Sequence, residues 1–379
     1  MGKFFLHCLI GLVFLTSLLD SQEKACQYHP DVADMLAETQ QIRWVRWIEA
    51  LSGVRPVKTS EGEGNILTRS SLVMFEPDQA PDAFTYLIET LQGMGFQENR
   101  DFEIHTYNFP YEDRHPDRNW KILILTFPGT DPLLREEKVL MVAHLDSISD
   151  QETILAPGAD DNASGAAGLL EAASVLRHYQ FERTIHLIWF SGEEYSRVGS
   201  EHFVDDYADW LPDIVGVINP DMFAFDWDND HCFEVHAGTL PGSQRIGECF
   251  LSLIAAYGLG ITFDFIDDDT AYTFSDHFAF WEQEIPAVMV LENTFFQPEG
   301  TCGKTDRNPG YHTTRDTLAY INPDTGFAIL QASLAAVAHL AEPAGRCFSA
   351  APSLRYIHHI NRSFLAWNLL GGAKKYQVW

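Results

Sequence analysis

The stretch Lys138-Val-Leu-Met-Val-Ala-His-Leu-Asp146 decides the fold of this chain. After Lys138 it runs apolar without alternation, which is typical of a strand buried on both faces of a sheet. The run ends directly in His144 and Asp146, two side chains that can take part in chemistry. Similar runs at 184–190 and 214–218 also end in polar residues, so we predict that such residues gather along one edge of a sheet.

Segments with helical periodicity alternate with these strands. We predict helices at 31–51, 81–94, 165–179, 243–257 and 323–340, and further strands at 102–108, 121–127 and 287–291. Alternating strands and helices imply a mixed, mainly parallel sheet with helices on both faces. The predicted fold class is therefore α/β, a three-layer α/β/α sandwich whose functional residues lie beyond the carboxyl ends of the strands.

The composition favours a globular protein and disfavours nucleic acid as a partner. The chain has 379 residues, of which 46% are hydrophobic and 21% charged, enough apolar surface for a packed core. This length corresponds to about two domains, or to one large domain with a tail. The 25 basic and 54 acidic residues give a formal net charge of -29, which repels phosphate backbones and anionic membranes at long range.

The first 21 residues resemble a signal peptide. Lys3 precedes a mostly apolar run from Phe4 to Leu19, followed by small and polar residues. We therefore expect a secreted protein, extracellular or periplasmic, that is a monomer with no membrane anchor. We expect a catalytic domain over 22–342 and a C-terminal extension over 343–379. The extension resembles the start of a fibronectin type III domain, and a bare apolar hairpin is an equally good interpretation.

Five cysteines remain after removal of the signal peptide, at positions 26, 232, 249, 302 and 347. An odd number in an oxidising compartment leaves one free if the others form disulfides. No two are close in sequence, which disfavours a thiolate zinc site. From position alone, a bond between Cys26 and Cys347 would tie the two ends of the catalytic domain together.

Five clusters of acidic or imidazole side chains follow predicted strands or occupy loops. They are His144 with Asp146, Asp160 with Asp161, Glu193 with Glu194, Asp221, and His312 with Asp316. Each cluster alone is compatible with a helix cap, a turn or solvated surface. Together they offer two imidazoles and three carboxylates as metal ligands and one spare glutamate. Two metal ions that share one carboxylate would use that set, and these donors suit zinc, with manganese or cobalt as substitutes.

Two other acidic segments lack such support. Asp226 to Asp230 has the spacing of a calcium loop, but the sixth position is His231 instead of glycine and no glutamate closes the loop. We interpret it as a solvated turn. The run from Asp267 to Asp269 reads as an exposed loop.

Six separated motifs resemble, in type and order, those of metallopeptidase family 28, most closely its secreted two-zinc bacterial leucyl aminopeptidases. They are His144-Leu-Asp-Ser147, the loop Gly158–Gly165, Gly192-Glu-Glu194, Pro220-Asp-Met222, Tyr272-Thr-Phe-Ser-Asp-His277 and His312-Thr-Thr-Arg-Asp-Thr317. The resemblance extends over roughly 40–340. It implies that Asp160 bridges two zinc ions, that His144 and Glu194 complete one of them, and that Asp221 and His312 complete the other.

The resemblance also implies the catalytic roles. Asp146 would orient His144, Glu193 would act as general base, and Tyr272 would help to stabilise the oxyanion. In this family the peptide bond before the second aspartate of the loop, here Asp161, is often cis. A hydroxide that bridges the metals would attack the carbonyl of a peptide's N-terminal residue.

The free amine of such a substrate would lie beside a metal and the acidic side chains. We predict an apolar pocket for its first side chain, lined by Met222, Phe295, Phe296 and Tyr311, although the two phenylalanines fit ordinary core positions equally well. Three alternatives stay open. One is a carboxypeptidase that uses Arg315 to bind a substrate carboxylate. The others are a glutaminyl cyclase-like acyltransferase with one zinc, and an inert peptide-binding protein.

Overall fold

The computed structural model describes residues 26–76, 81–109, 119–294, 300–303 and 305–347, and the backbone of two further strands at 354–359 and 362–367. The predicted signal peptide lies outside the described residues. No helix among the described residues is long and apolar enough to cross a membrane.

The helices and strands are given in chain order. The α-helices are α1 (Pro30–Glu38), α2 (Gln41–Leu51), α3 (Ala83–Gly93), α4 (Gly165–Leu176), α5 (Val198–Asp206), α6 (Pro241–Tyr257), α7 (His277–Trp281) and α8 (Pro323–Leu340). The strands are β1 (Val57–Thr59), β2 (Gly62–Gly64), β3 (Phe102–Asn108), β4 (Asn119–Phe127), β5 (Lys138–His144), β6 (Tyr179–Phe181), β7 (Thr184–Phe190), β8 (Ile214–Pro220), β9 (Cys232–His236), β10 (Thr262–Ile266), β11 (Ala287–Glu292), β12 (Pro343–Arg346), β13 (Leu354–His359) and β14 (Arg362–Trp367).

An eight-stranded mixed sheet forms the centre, in the order β10-β9-β11-β8-β5-β7-β4-β3. The four central strands β11, β8, β5 and β7 are parallel to one another, and antiparallel pairs flank them. The carboxyl ends of the parallel strands therefore meet at one edge. The predicted fold class is confirmed.

Side chains of the central strand β5 alternate between two cores. Val139, Met141 and Ala143 pack into a core with residues of α2, α4 and α8, whereas Leu140 and Val142 pack into a second core with residues of α5 and α7. All five are fully buried. The uninterrupted apolar sequence of this strand follows from helices on both of its faces.

The structure differs from the sequence predictions at two kinds of element. The predicted opening helix is two helices, because Thr39 is extended and its hydroxyl bonds the carbonyl of Leu36 at 2.6 Å. The strands β9 and β10 were not predicted. Each carries a buried acid, Glu234 in β9 and Asp264 in β10, and these acids interrupt the apolar pattern by which strands are recognised.

The last strands of the chain form two small sheets. Strand β12 pairs with β6, and β13 pairs with β14 as an antiparallel hairpin in register from Leu354 with Trp367 to His359 with Arg362. A catalytic domain over 22–342 and a fibronectin-like extension stay predictions.

Two disulfides are present among the described residues. Cys26 bonds to Cys249, and Cys232 bonds to Cys302, each with a Cα–Cα distance of 5.3 Å. Cys347 is free and its thiol donates to the carbonyl of Tyr179 at 3.1 Å. The expected bond between Cys26 and Cys347 is therefore wrong, since α6 and not the chain's far end lies against the start of α1.

We predict that removing the first disulfide destabilises the protein. It closes a loop of 223 residues, and losing such a bond typically costs about 2–4 kcal/mol. The double variant Cys26→Ser, Cys249→Ser should melt several degrees below the wild type in calorimetry. Cys347→Ser is the control and should melt with the wild type. Equal melting temperatures for all three proteins would contradict the prediction.

Candidate metal centre

Three strand ends deliver side chains to the same place. His144 is the last residue of β5 and pairs in register with Phe190, the last residue of β7. Glu193 and Glu194 begin a short 3-10 turn just after β7, and Asp221 directly follows β8. Gly192, with φ of +77°, makes the turn before the glutamates possible, because a Cβ there would lie 2.4 Å from the ring of Trp120.

The loop 158–165 brings an aspartate to these residues. Gly158 adopts φ of +47°, and a Cβ on it would lie 2.2 Å from the carbonyl oxygen of Asp161. The carboxylate of Asp316 accepts hydrogen bonds from the backbone N–H groups of Asp160 and Asp161, at 3.2 and 3.0 Å. His312 lies four residues before Asp316 in the chain. Its φ is +55°, a backbone conformation that non-glycine residues adopt mainly at constrained sites.

The two oxygens of Asp161 face two imidazoles. Its Oδ1 lies 3.3 Å from Nε2 of His144, and its Oδ2 lies 3.2 Å from Nε2 of His312. His144 Nε2 is also 3.2 Å from Oδ1 of Asp221, and His312 Nε2 is 3.0 Å from Oε2 of Glu194. The side chains thus form two sets of three donors that share the carboxylate of Asp161.

Neighbouring groups fix the orientation of each donor. His144 Nδ1 lies 3.0 Å from the carbonyl of Asp146. A carbonyl only accepts, so Nδ1 carries a proton and Nε2 is the nitrogen turned to the carboxylates. Oδ2 of Asp221, which faces away from His144, accepts from the hydroxyl of Ser275 at 2.6 Å. Oε1 of Glu194, which faces away from His312, accepts from the backbone N–H of Ile148 at 3.2 Å.

The packing of these acids attracts positive charge. Burial lowers the pKa of His144 and of His312, but the adjacent carboxylates outweigh it. The pKa of His144 lies well above its usual value, chiefly because of Asp221, and that of His312 rises to about 10, chiefly because of Asp161. Burial raises the pKa of Asp161, yet its bonds to the two histidines hold it below the usual range.

The two glutamates behave as weaker acids than usual. Burial and the charge of Asp161 raise the pKa of Glu194 to about 7, although His312 opposes the rise. Burial also raises the pKa of Glu193 well above its usual value, and Glu194 and Asp276 add to this effect while His144 opposes it. A site of this kind is stable when cations or protons balance its carboxylates.

The donor set fits divalent metal ions. Imidazole nitrogens and carboxylate oxygens without thiolate are ligands that zinc accepts. With Nδ1 donating to the carbonyl of Asp146, Nε2 is the nitrogen of His144 that faces Asp161 and Asp221. In the metal-free site the raised pKa of His144 places a proton there, which balances the two carboxylates, and a bound metal ion would take the place of that proton. Oδ2 of Asp146 is also buried without a hydrogen-bond partner among the described atoms.

The position of Asp160 differs from the one expected for a bridging ligand. Its carboxylate accepts from the N–H of Ala224 at 2.9 Å and from the amide of Asn308 at 3.3 Å. Asp160 and Asp161 are adjacent in a tight turn, and their side chains leave it in different directions. The cis peptide bond follows Asp161 instead of preceding it. The donor sets also differ from the expected pairing, because His144 lies with Asp221 and His312 lies with Glu194.

Comparison with known proteins identifies the family of the chain. The model of peptidase family M28 matches residues 123–337, more than half of the chain. This chain belongs to peptidase family M28. The matched residues include both donor sets and the loop between them.

Individual relatives of this M28 chain are distant. It is 27% identical over 210 residues to a probable leucine aminopeptidase of Arthroderma benhamiae, covering 53% of this chain and 52% of the relative. The chain therefore spans about half the length of the curated relatives it matches.

Two solved structures share the fold. The LapA aminopeptidase of Legionella pneumophila has a TM-score of 0.62 and 22% identity, over 82% of this chain and 74% of its own. A glutaminyl cyclase of an Acidobacteriales bacterium has a TM-score of 0.59 and 16% identity, over 79% of this chain and 93% of its own. The M28 fold is thus common to proteins of different reactions, and the side chains of the site must decide between them.

An arginine that the sequence analysis missed lies beneath the M28 site. Arg69 is fully buried. Its described hydrogen bonds go to backbone carbonyls, at 2.7 Å to Leu145, 2.9 Å to Leu51, 2.6 Å to Pro157 and 2.9 Å to Gly158. It therefore joins the loop after β5 to the loop that carries Asp161. No periodicity marks this residue in the sequence, because it lies in a polar segment without a motif.

Burial lowers the pKa of Arg69 to about 10, and the charges of Asp316, Asp161, Asp146 and Glu194 oppose that shift. Arg69 remains a cation at neutral pH. It supplies a permanent positive charge beneath a cluster of acids and saturates carbonyls that would otherwise be buried without donors.

An apolar surface borders the M28 site. Met222 packs with Met289 and Leu291, and the rings of Tyr272 and Tyr311 lie against them. The ring of Tyr311 stacks on His312 with centroids 3.7 Å apart. Met222 and Tyr311, which were predicted to line a pocket, are thus in one cluster, whereas Phe295 and Phe296 lie outside the described residues.

We predict that Arg69→Leu strongly destabilises the protein. It leaves several buried carbonyls unpaired and removes a charge from an acidic cluster, so the free energy of unfolding should fall by about 3 kcal/mol or more in urea denaturation. Arg55→Leu is the matched control. Its side chain is half exposed and pairs with Glu49, so the loss should stay below about 1 kcal/mol. Similar losses in the two variants would contradict the assigned role of Arg69.

Proposed function

We propose that the protein is a zinc aminopeptidase that hydrolyses the bond after the N-terminal residue of peptides. The observation that carries this proposal is the position of Asp161, whose two carboxylate oxygens each face one imidazole nitrogen at 3.3 and 3.2 Å. One carboxylate between two donor sets is an arrangement suited to two metal ions.

We assign five side chains to the metals. Asp161 would be shared, His144 and Asp221 would bind one zinc ion, and Glu194 and His312 would bind the other. Zinc ions in such a site supply Lewis acidity, which polarises a carbonyl and makes a bound water more acidic. Asp146 holds His144 in the tautomer that binding requires, through its backbone carbonyl.

Glu193 is the proposed general base. It is partly buried beside the donor set, and its backbone N–H donates to Oδ1 of Asp146 at 3.3 Å. Burial raises the pKa of its carboxyl above the usual value, which makes the carboxylate a stronger base. It would take a proton from the attacking water and return it to the leaving amine.

Charge favours the amino terminus of a substrate. Carboxylates surround the site, and Arg69 beneath it is fully buried and donates to backbone carbonyls. A protonated or metal-bound α-amine is therefore easier to accommodate here than a carboxylate. Tyr272 would stabilise the oxyanion. Burial, and then the charges of Asp221 and Glu193, raise the pKa of its hydroxyl, so the hydroxyl keeps the proton that it would donate to that oxygen.

We further propose that the first side chain of the substrate is apolar. The cluster formed by Met222, Tyr272 and Tyr311 adjoins the donor sets, because Met222 follows Asp221 and the ring of Tyr311 stacks on His312. Phe295 and Phe296 remain proposed members of this pocket. The physiological substrates would be peptides or protein N-termini, and the protein would act as an exported monomer; its two disulfides are consistent with an oxidising compartment.

One observation favours a carboxypeptidase as a second candidate. The guanidinium of Arg307 lies 4.7 Å from the ring centroid of Tyr311, next to the apolar wall, where it could bind a carboxylate of the substrate. The other cation considered, Arg315, donates to the carbonyl of Pro309 at 3.3 Å and is exposed. A cyclase-like enzyme would need one metal, and an inert binding protein would have no use for the partly buried Glu193.

Aminoacyl-anilides test the proposal. We expect hydrolysis when Leu or Phe carries a free amine, little with Ala or Glu, and none with N-acetyl-Leu. Chelation should abolish the activity and zinc should restore it. If the protein cleaves a peptide from its carboxyl end and does not act on any free-amine anilide, it is a carboxypeptidase and the aminopeptidase proposal is wrong.

We predict that Glu193→Gln loses turnover and keeps its metal. The amide has nearly the same shape but cannot accept the proton, so kcat should fall by about 10²–10⁴-fold while elemental analysis still finds the wild-type zinc content. Glu201→Gln, an exposed change on α5, is the control and should retain kcat. A Glu193→Gln enzyme with near-normal kcat would remove the assigned general base.

We predict opposite outcomes for the two adjacent aspartates of the loop. Asp161→Asn weakens the shared ligand of both metals, so most of the zinc should be lost on dialysis. Asp160→Asn keeps the donor sets intact and should retain two zinc ions per chain, although buried hydrogen bonds to Ala224 and Asn308 change. Elemental analysis of both variants after identical dialysis decides this, and greater zinc loss from Asp160→Asn would reinstate Asp160 as the bridge.

A further inference from the structure

A second acidic cluster lies in the loop between β8 and β9. Asp226, Asp228 and Asp230 alternate along the chain, and one carboxylate oxygen of each lies within 4.8 Å of an oxygen of the other two. The sequence analysis interpreted this segment as a solvated turn. Its three side chains instead converge, and we refer to residues 226–230 as the acidic loop.

One carboxylate of the acidic loop is buried with an unused oxygen. The side chain of Asp226 is only 1% exposed. Its Oδ2 accepts from the amide of Asn322 at 3.2 Å and from the hydroxyl of Thr325. Its Oδ1 has no hydrogen-bond partner among the described atoms. An unpartnered oxygen on a buried carboxylate is costly unless a cation or another donor reaches it.

Little positive charge in the described part of the chain balances the acidic loop. The described ion pairs of Asp226 are limited to His231, whose Nδ1 is 3.6 Å away and whose side chain is 45% exposed. A fourth acid, Asp306, adds negative charge, because its Oδ2 accepts from the backbone N–H groups of Trp227 and Asp228. Neighbouring carboxylates of this kind repel each other without a cation between them.

We propose that the acidic loop binds a calcium ion, with Asp226, Asp228 and Asp230 as carboxylate ligands. An all-oxygen donor set selects a hard cation, and calcium accepts the irregular geometry of a loop more readily than magnesium does. This site is separate from the zinc ligands and does not depend on the proposed peptidase activity. Because no glutamate closes the loop and two of the three carboxylates are exposed, the affinity belongs in the weak range, with Kd on the order of 0.1–1 mM.

Calcium here would stabilise the protein by joining two elements. Asn322 is the N-cap of α8, and its amide also donates to the carbonyl of Asp226 and to the side chain of Asn229. The backbone N–H of Asn322 donates to the carbonyl of Ala224 at 2.6 Å. A cation on the acidic loop therefore holds the start of α8 against the segment that follows β8.

The loop contains its own spectroscopic probe. Trp227 lies between two of the proposed ligands and is 72% exposed, so excitation of this ring should sensitise the luminescence of terbium bound beside it. Terbium is a hard cation of similar size to calcium and is the probe used here. We expect sensitised emission from the zinc-loaded, full-length protein, and loss of that emission as calcium is added at millimolar concentration.

Variants of the exposed ligands decide the outcome. Asp228→Asn and Asp230→Asn should each weaken calcium-displaceable terbium binding by at least about tenfold, and both should fold because these side chains are at the surface. Asp269→Asn, which removes one exposed acid from a different loop, is the control and should bind like the wild type. Emission that is equal in all four proteins would overturn the proposal, as would emission that calcium does not displace.

Thermal unfolding provides an independent readout. Five millimolar calcium should raise the melting temperature of the wild type and of Asp269→Asn by about 2 °C. It should raise that of Asp228→Asn by less than half as much. An equal rise in all three proteins, or no rise in any, would contradict a calcium site in the acidic loop.

Discussion

The carboxylate of Asp161 is the interaction on which the site depends. It lies between two imidazoles from distant parts of the sequence, His144 at the end of β5 and His312 near the end of the matched region. To bring both nitrogens within about one hydrogen-bond distance of one carboxylate, the loop 158–165 must be held rigidly against the edge of the sheet. Asp316 does so from one side through the backbone of Asp160 and Asp161, and Arg69 does so from the other.

This arrangement concentrates charge where a fold would normally avoid it. Several carboxylates are buried at the strand ends, and few positively charged groups of the surrounding protein compensate their charge. The balance comes from the two histidines, from the one buried arginine and from backbone N–H donors, and the rest is left to a bound cation. The same physical situation recurs on a smaller scale in the acidic loop, where Asp226 is buried with one oxygen unused.

Much of the fold follows from local sequence because its central strands are apolar on both faces. The apolar runs at β5, β7, β8 and β11 are recognisable as buried strands from the sequence. The polar residues after them indicate the functional edge of the sheet. The strands β9 and β10 escape such reasoning because Glu234 and Asp264 are buried within them. Their partners come from elsewhere in the chain: Asp264, for example, accepts from backbone N–H groups near Cys302.

The residue types of the site are also visible in the sequence, whereas their pairing is not. A turn with two adjacent aspartates does not reveal which side chain faces the histidines, since that depends on the backbone angles of the loop. The disulfide partner of Cys26 depends on where α6 packs, and Arg69 acts only through carbonyls that are distant in sequence. Each of these features is a property of tertiary packing, for which local pattern carries no signal.

The most direct test of the account is a crystal structure of the zinc-loaded protein with anomalous diffraction measured on both sides of the zinc absorption edge. We expect two anomalous peaks, one against each oxygen of the Asp161 carboxylate, the first also bound by His144 and Asp221 and the second by Glu194 and His312. A single peak, or two peaks that share the carboxylate of Asp160, would contradict the account.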